Sequence, residues 1–504
     1  MSSGWVLPDE VLAGAPAYTP RPGELADLEL LLTGAFTPLT SLPTSADLVA
    51  LRQRGELADG TRWPLPLTLE VPTELLDSID RGNPLRRALI LTDLEGTPVA
   101  AVDVVDAWPT SETMSGIGGP VRGIGDPFRG PFRSLRQSPP AVREQLPAGR
   151  VLGFVADTPL HRPQLAQIVL ATRTLQAHLL LLIPVAHPSP DGLSPEALVR
   201  CVLAARDRMP EATIATVPLR RRTNEIHHAL ARARVAEAYG ATHLLAGGPT
   251  LSGGGPRVLV PRELAYDSRD GQWRASEDIP QRHQRAALTA AEIEDLLDRG
   301  FGLPEWHTPP AVAKELARAR PPRRRRGLVV FFTGLPASGK STIARGVTST
   351  LRESGERTVT VLDGDVVRRE LSAGLGTTRA DQERSVRRVG WVAAEIARHH
   401  GMAICCPVAP YPESRAAARA AARANGAGFV MVWVSTPRQV CERRDRRGLY
   451  ERARAGESTG VAAVDDAYQD PTAADLVLDT TDMSVDDAVS AVLGHLADHG
   501  WIEL

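Results

Sequence analysis

The stretch GLPASGKS, residues 334–341, has the residue types and spacing of a loop that binds the phosphates of a nucleotide. Its two glycines let the backbone turn so that successive N–H groups face one anion. Lys340 would contact the β- and γ-phosphates, and Ser341 would ligate Mg²⁺. An apolar run, GLVVFF, precedes the loop, and a helical pattern follows it. Gly355 is well placed to end that helix. Because such a loop requires this context, we predict nucleotide binding here.

A pair of carboxylates follows in LDGDVVRREL, residues 362–371. Asp363 and Asp365 flank a glycine at the carboxyl end of a predicted strand, where ligands bind in open α/β sheets. Phosphoryl transfer needs a group that orients or deprotonates the attacking hydroxyl. We expect Asp365 to be that base and Asp363 to assist Mg²⁺ or the order of the loop. For Asp363, a capping Asp-Gly turn is an equally good interpretation.

Arginines cluster after these carboxylates, and some of them must be ordinary charge on helix surfaces. The stretch CERRDRRGLYERARAG, residues 441–456, lies between a predicted strand and a Gly-rich segment. Its arginines, from Arg444 to Arg454, would belong to a mobile lid that closes over the phosphates. Such lids exclude water, which would otherwise accept the phosphate.

The elements that must position these residues alternate between strand and helix. Over residues 327–504 this alternation predicts a parallel sheet covered by helices on both faces. Residues 146–317 predict a second α/β domain, and residues 1–145 a small β-rich domain whose short strands are separated by Pro and Gly. We interpret the Arg- and Pro-rich residues 318–326 as a solvated linker rather than a nucleic-acid patch or a localisation signal. The predicted fold class is therefore α/β and multidomain.

Composition limits the class of protein further. A chain of 504 residues is too long to fold around a single hydrophobic core, so we expect several domains. A net charge of −2 argues against a general nucleic-acid binder. We see neither an apolar run of the roughly 20 residues that span a bilayer nor a secretory pattern at the start. The 4 cysteines form no Cys-x-x-Cys pair. We expect a cytoplasmic protein with small-molecule substrates and no nucleic-acid or membrane partner.

The C-terminal motifs resemble a known family. Residues 327–504 contain GLPASGKST, LDGD, RRVG, APY, CERRD, GLYERARAGE, VDDAY and LVLDT. Their order and spacing are similar to those of adenylylsulfate kinase, which uses ATP to phosphorylate the 3′-hydroxyl of adenosine 5′-phosphosulfate (APS), making PAPS. The resemblance implies a P-loop kinase that uses ATP and Mg²⁺.

The resemblance also implies site residues. The implied catalytic residues are Lys340, Asp363 and Asp365. Those implied to bind ATP are Gly334, Ala337, Ser338, Gly339, Lys340, Ser341, Thr342 and Arg444. Those implied to bind the acceptor are Arg368, Gln382, Ser385, Arg415, Arg454 and Val461.

The acceptor side departs from the family pattern. Thr377 and Val461 stand where the family has two phenylalanines that sandwich the adenine of APS. Because base–aromatic stacking contributes on the order of 1–3 kcal/mol per base, their loss would weaken APS binding. Gln382 and Ser385 also differ from the family residues, whereas the ATP side matches. Two interpretations stay open: a divergent APS kinase, or a kinase for another small hydroxyl compound.

The N-terminal half resembles ATP sulfurylase, so the whole chain is similar to a bifunctional PAPS synthetase. LLTGAFTPLTSL and RWPLPLTLEV are similar to its N-terminal, PUA-like β domain. FVADTPLHRPQ and AYGATHLLAGG are similar to segments of its nucleotidyltransferase-like domain. The family order of sulfurylase followed by kinase is kept, and the resemblance implies a homodimer.

The sulfurylase motifs, however, have lost most of their anion-binding residues. Val155, Asp157 and Gln164 replace a glutamine, an arginine and a histidine of the family, and only His161 survives. Residues 248–250, Gly-Pro-Thr, replace Arg-Asp-His. Since an aspartate repels sulfate, we predict that this half does not adenylylate sulfate. It would instead be a dimerisation scaffold, a regulatory nucleotide-binding module or a retuned nucleotidyltransferase. A full PAPS synthetase with both activities is the alternative.

Overall fold

The computed structural model describes residues 14–83, 86–125, 130–247, 255–456 and 467–503, without the side chains of residues 365 and 368. The chain divides into two compact units. The first comprises Met1–Ala290 and Leu303–Ala319, and the second comprises Ala291–Gly302 and Arg320–Leu504. The domain boundaries drawn from the sequence stay predictions.

The amino-terminal part of the first unit is β-rich, as predicted. Its strands are β1 (Ala17–Tyr18), β2 (Ser41–Leu42), β3 (Leu69–Pro72), β4 (Ala88–Thr92), β5 (Pro98–Asp103), β6 (Asp106–Pro109) and β7 (Met114–Gly123). They form a mixed sheet in the order β1-β4-β5-β7-β2, with β3 and β6 also paired to β7. The helices that accompany it are α1 (Pro22–Leu32), α2 (Ser45–Arg54) and α3 (Thr73–Leu76).

The remainder of the first unit contains the second predicted α/β region. Its parallel strands, in the order β10-β9-β8-β11-β12, are β8 (Val151–Val155), β9 (His178–Pro184), β10 (Ala212–Val217), β11 (His243–Leu245) and β12 (Arg257–Leu259). Its helices are α4 (Pro139–Gln145), α5 (Arg162–Leu175), α6 (Pro195–Ala204), α7 (Glu225–Ala238) and α9 (Pro310–Ala319). A small antiparallel sheet, which the sequence did not predict, consists of β13 (Leu264–Asp267), β14 (Gln272–Ala275) and β15 (Gln284–Arg285).

The second unit is built on a parallel sheet in the order β17-β18-β16-β19-β20. Its strands are β16 (Leu328–Gly334), β17 (Val359–Leu362), β18 (Met402–Cys405), β19 (Gly428–Val434) and β20 (Leu476–Leu478). Its helices are α8 (Ala290–Arg299), α10 (Lys340–Ser354), α11 (Gly364–Glu370), α12 (Arg379–Arg398), α13 (Pro412–Ala424), α14 (Arg438–Arg443), α15 (Leu449–Arg454) and α16 (Val485–Asp498).

Strand β16 explains why this sheet is covered on both faces. Leu328, Val330 and Phe332 pack in a core with α10 and α16. Val329 and Phe331 face the other way and pack in a core with α12 and α13. Because alternate residues of a strand point to opposite faces, an uninterrupted apolar run suits a strand buried on both sides. The predicted parallel sheet is therefore confirmed.

The Arg- and Pro-rich stretch after α9 is less solvated than the sequence predicted. The carboxylate of Asp298, on α8, accepts hydrogen bonds from Nε of Arg320 at 2.8 Å and Nε of Arg323 at 2.9 Å. Arg326 donates from Nη2 at 2.5 Å and is itself 8% exposed. Burial alone would raise the pKa of Asp298, but the hydrogen bonds and charges of Arg320 and Arg326 lower it to about 2. These arginines therefore have a buried partner within the second unit.

Candidate functional site

The candidate site of the second unit lies at the carboxyl ends of its parallel strands. The loop of residues 335–339 follows β16, and Asp363 follows β17. Thr436 and Thr480 come two residues after the ends of β19 and β20. Because all these strands are parallel, the segments that follow them share one edge of the sheet, the edge at which such sheets bind ligands.

The loop itself has an unusual backbone. Gly334 has a φ of 145° and Gly339 a φ of 105°. A Cβ at position 334 would lie 2.4 Å from the carbonyl oxygen of Val434, so only glycine fits there. Ala337 has a φ of 60°, a left-handed conformation that costs a non-glycine residue about 1–3 kcal/mol. The loop therefore depends on contacts from outside itself to keep its shape.

Lys340 begins α10 and folds back over the loop. Its Nζ donates to the carbonyl oxygens of Gly334 at 2.9 Å and Leu335 at 2.6 Å. The residue is 6% exposed, and burial lowers the pKa of its ammonium group to about 8. At pH 7 most of the molecules thus keep a positive charge where the phosphates would bind.

The outer side of the loop is held by residues that the sequence did not single out. The hydroxyl of Tyr450 donates to the carbonyl oxygen of Pro336 at 3.0 Å. The hydroxyls of Thr436 and Thr480 each lie 3.2 Å from the carbonyl oxygen of Ser338. Their contacts join segments that are far apart in the chain, so only the folded structure shows that these hydroxyls hold the loop.

Arg444, implied to bind ATP, lies beside this group. Its Nη1 donates to Oγ1 of Thr480 at 2.8 Å. Its Nη2 donates to the carbonyl oxygens of Thr480 at 2.8 Å and Thr481 at 3.2 Å. Arg444 therefore ties α14 to the end of β20, and its role toward ATP stays a prediction.

The residues expected to form a lid belong to two short helices. Tyr450 on α15 is 1% exposed and anchors this segment to the loop. Arg454, near the end of α15, forms an ion pair with Glu442 at 2.5 Å and is half-exposed. The backbone N–H of Tyr450, in the first turn of α15, donates to the carboxylate of Asp445 at 2.9 Å. The mobility of the segment stays a prediction.

Asp363 takes the capping position that the sequence left open. It is the N-cap of α11, and its Oδ1 accepts from the N–H of Gly364 at 2.6 Å. Leu362, just before it, pairs with Cys405, which in turn pairs with Phe331 on β16. Asp363 thus follows a strand that lies two strand spacings, roughly 10 Å, from β16. Residue 365 lies in the first turn of α11, and its side chain is not described.

The predicted acceptor residues on α12 contact the segment before that helix. Oγ of Ser385 and Oγ of Ser372 are 2.7 Å apart. Nε2 of Gln382 donates to the carbonyl oxygen of Thr377 at 3.0 Å. The structure therefore brings Gln382 and Ser385 to the same segment as Thr377, the position from which the family's first phenyl ring is missing.

Arg415, another of the predicted acceptor residues, is bonded to the backbone of its own unit. Arg415 is 3% exposed and donates to the carbonyl oxygens of Ala409 at 2.7 Å and Gln469 at 2.8 Å. Burial lowers the pKa of its guanidinium group. These contacts give Arg415 a structural role, whatever it does toward an acceptor. The side chain of residue 368 and all of residue 461 lie outside the described structure.

Mg²⁺ is the cation implied by the phosphate loop. Ser341, in the first turn of α10, offers a hydroxyl oxygen, and Asp363 offers a carboxylate at the same edge of the sheet. Oxygen ligands of this kind are those that Mg²⁺ prefers, so Ser341 fits the ion as a direct ligand, and Asp363, two strands away, fits it through a bound water. Across the described ranges no group of three or more His, Cys, Asp or Glu side chains is arranged to hold a metal by itself.

In the first unit, the carboxyl end of β8 carries an ion pair. Nη1 of Arg232, on α7, lies 3.1 Å from Oδ2 of Asp157. Nη2 of the same arginine donates to the carbonyl oxygen of Val155 at 3.1 Å. Burial and the neighbouring charge of Arg232 lower the pKa of His228, one turn earlier on α7. The positive charge of Arg232 at the carboxyl end of β8 is thus already neutralised by Asp157.

His161, the surviving histidine, has a structural environment. It is 7% exposed, its Nδ1 lies 2.9 Å from the hydroxyl of Thr308, and its ring lies 4.7 Å from that of His307. Burial and the charge of His307 lower the pKa of His161 to about 3, so it is neutral at pH 7. Residues 248–250 lie outside the described structure.

Comparisons with known proteins give one consistent result. A PUA-like domain model matches residues 11–115, an ATP-sulfurylase model residues 133–250, and an adenylylsulphate kinase model residues 326–479. A sulfate adenylyltransferase of Aspergillus terreus is 31% identical over 98% of this chain and 96% of its own length. One of Emericella nidulans is 30% identical over 97% and 95%.

A solved structure agrees over the same length. The hexameric APS kinase from Thiobacillus denitrificans is 32% identical and covers 98% of this chain and 95% of its own, with a TM-score of 0.77. In the part of the chain that the structure describes, none of the helices combines the length and apolar character needed to cross a membrane.

Proposed function

We infer the function from one premise: this chain belongs to the sulfate adenylyltransferase family, in the form that also carries an adenylylsulfate kinase domain. It is an enzyme, a phosphotransferase of the adenylylsulfate kinase type that uses ATP. The phosphate loop carries this conclusion, because its glycine-dependent backbone, its buried lysine and the helix that begins at this lysine are the features expected of a loop that binds a triphosphate.

In the proposed reaction the acceptor's hydroxyl oxygen attacks the γ-phosphorus of ATP. The bond from that phosphorus to the β–γ bridging oxygen breaks, ADP leaves, and the hydroxyl proton passes to the predicted base, Asp365. Lys340 and the loop amides hold the charge that spreads over the phosphate oxygens. Ser341 is proposed to hold Mg²⁺, which when bound neutralises charge on the β- and γ-phosphates.

The acceptor is the 3′-hydroxyl of APS or a related hydroxyl compound. Thr377 offers no aromatic plate, and its carbonyl oxygen accepts a hydrogen bond from Gln382. These observations support a remodelled acceptor pocket. A kinase for another small molecule, with the N-terminal half as a binding or assembly module, is the second candidate.

We propose that the sulfurylase-like half does not adenylylate sulfate. The ion pair of Asp157 with Arg232 supports this, because a guanidinium group neutralised by a carboxylate attracts sulfate weakly. A full bifunctional PAPS synthetase is the alternative, and the relatives named sulfate adenylyltransferase along nearly the whole chain favour it.

One experiment separates these functions. The purified chain is incubated with Mg-ATP and either APS or sulfate, and ADP, APS and PAPS are followed by mass spectrometry. ADP and PAPS from APS alone support the kinase. Product from sulfate supports the full synthetase. ATP binding without turnover of either compound indicates a different acceptor.

Further features of the proposal concern the location, the substrates, the domains and the assembly of the protein. We propose a cytoplasmic enzyme with small-molecule substrates, and domains at residues 1–145, 146–317 and 327–504. We also propose a homodimer, although the Thiobacillus denitrificans relative is described as hexameric. Light scattering of the purified chain distinguishes a dimer from a hexamer.

A further inference from the structure

We propose that Tyr450, Thr436 and Thr480 form a brace, called here the loop brace, that orients the amide groups of the phosphate loop toward the nucleotide. They are positioning residues, since they act through the loop backbone rather than on the substrate. The inference rests on the proposed binding of ATP by this loop. It goes beyond that proposal because it identifies the side chains that orient the peptide groups of the loop.

The argument begins with the peptide group. A trans peptide is planar, so its carbonyl oxygen and its N–H point in opposite directions. In a loop whose N–H groups face a phosphate, the carbonyl oxygens must face away from it. A buried carbonyl oxygen needs a hydrogen-bond donor. Donors behind the loop therefore decide which way its amides point.

Each brace contact fixes one such peptide. The hydroxyl of Tyr450 binds the carbonyl oxygen of Pro336, and the N–H of that peptide belongs to Ala337. The hydroxyls of Thr436 and Thr480 both lie 3.2 Å from the carbonyl oxygen of Ser338, so either can donate to it, and the N–H of that peptide belongs to Gly339. These contacts direct the N–H groups of residues 337 and 339 away from the brace.

The two threonines act as a unit with Arg444. Their hydroxyls are 2.8 Å apart, and each has a single hydrogen to donate. Nη1 of Arg444 donates to Oγ1 of Thr480 at 2.8 Å. One of the two hydroxyls can then donate to the carbonyl oxygen of Ser338 while the other donates to its threonine neighbour. Arg444 thus orients the hydroxyl groups of the loop brace, in addition to its predicted role in binding ATP.

Burial makes the brace effective. Tyr450, Thr436 and Thr480 are 1%, 2% and 6% exposed. The bonds to Ser338 are buried and that of Tyr450 to Pro336 is partly buried, so water replaces a lost donor poorly, and the carbonyl oxygen would be left unsatisfied or would turn. Ala337 has a φ of 60°, a conformation that is unfavourable for a non-glycine residue. Rotation of the peptide between Pro336 and Ala337 would relieve this strain, so the peptide has a reason to turn once its donor is lost. Loss of one hydroxyl should therefore change the direction of an amide that binds phosphate.

The test compares Tyr450→Phe with Tyr239→Phe. Tyr239, in the first unit, is 2% exposed, and its hydroxyl donates to the carbonyl oxygen of Gln137 at 3.0 Å. Both variants lose a buried hydroxyl bonded to a carbonyl at the same distance. Affinities for Mg-ATP and for inorganic tripolyphosphate are measured by isothermal titration calorimetry. Tyr450→Phe should weaken both about three- to tenfold, and Tyr239→Phe should weaken neither.

A second pair of variants controls for misfolding of the first pair. Thr436→Val removes a brace hydroxyl, whereas Thr216→Val removes a buried hydroxyl that has no hydrogen-bond partner among the described residues. Only Thr436→Val should lower the affinity for tripolyphosphate. Wild-type affinity in both brace variants, or equal losses in their controls, would overturn the inference. If the wild type itself fails to bind Mg-ATP, the proposed function fails instead.

Discussion

Replacement of Asp298 by asparagine should destabilise the second unit, because it leaves a buried arginine without its carboxylate. The side chain of Asp298 is 4% exposed, and that of Arg326 is 10% exposed. The difference between the usual pKa of 3.8 and about 2 corresponds to about 2 kcal/mol of stabilisation by the ionised form. Asp298→Asn should therefore lower the free energy of unfolding of this unit by about 2–3 kcal/mol.

The control is Asp295→Asn on the same helix. Asp295 pairs with Arg299 at 3.1 Å, but the two side chains are 56% and 65% exposed. An exposed pair of this kind contributes about 0–1 kcal/mol, so this variant should resemble the wild type. Hydrogen exchange of the α8 amides in urea measures the stability of this helix directly. Equal exchange rates in the two variants would refute the reasoning.

The pH dependence provides a second check on Asp298. Its pKa is lowered in the folded protein, so its contribution is fully present above pH 3.8 and is lost as the pH falls through about 2. The difference between the wild type and Asp298→Asn should be constant from neutral pH to about pH 5 and shrink below about pH 4. A difference that shrinks at neutral pH would point to another group.

Two predictions concern the phosphate loop. Because burial lowers the pKa of Lys340 to about 8, the affinity for ATP should fall by up to about tenfold per pH unit above pH 8; a constant affinity up to pH 9.5, measured by calorimetry, would contradict this. Gly334→Ala should abolish ATP binding, since its Cβ would lie 2.4 Å from the carbonyl oxygen of Val434. Gly355→Ala, at a φ of 68° with open space around it, should cost about 1 kcal/mol of stability and leave ATP binding intact.

Local patterns explain what the sequence could predict. The apolar run before the loop predicted a strand buried on both faces, and β16 confirms it. Gly355 was predicted to end the helix after the loop and does so, with a φ of 68°. The Asp-Gly turn at Asp363 was recognised as a possible cap, and the structure places a cap there. In each case the signal is carried by residues that are neighbours in the chain.

Long-range contacts explain what the sequence could not predict. The arginines before residue 327 resembled a solvated linker because their shared partner, Asp298, lies on a helix well before them. Tyr450 gave no signal as part of the phosphate loop because it is separated from Pro336 by 114 residues. The small sheet of β13, β14 and β15 was missed because its strands are short and lack an apolar pattern.

The acceptor side shows a further limit of motif reasoning. The sequence indicated which family residues are missing, such as the phenylalanine that Thr377 replaces. Only the structure shows that Arg415, which the resemblance implies to bind the acceptor, is buried and bonded to two backbone carbonyls. A matching residue can therefore be retained for packing, and its presence alone does not identify an acceptor.

The central claim is that the loop around Lys340 holds the triphosphate of ATP. Titration of Mg-ATP into the wild type and into Lys340→Met, followed by calorimetry, tests it most directly. We predict that the wild type binds Mg-ATP and that the variant binds at least about tenfold more weakly, since it lacks the ammonium group that is predicted to contact the phosphates. Equal affinities, or no binding by the wild type, would contradict the account.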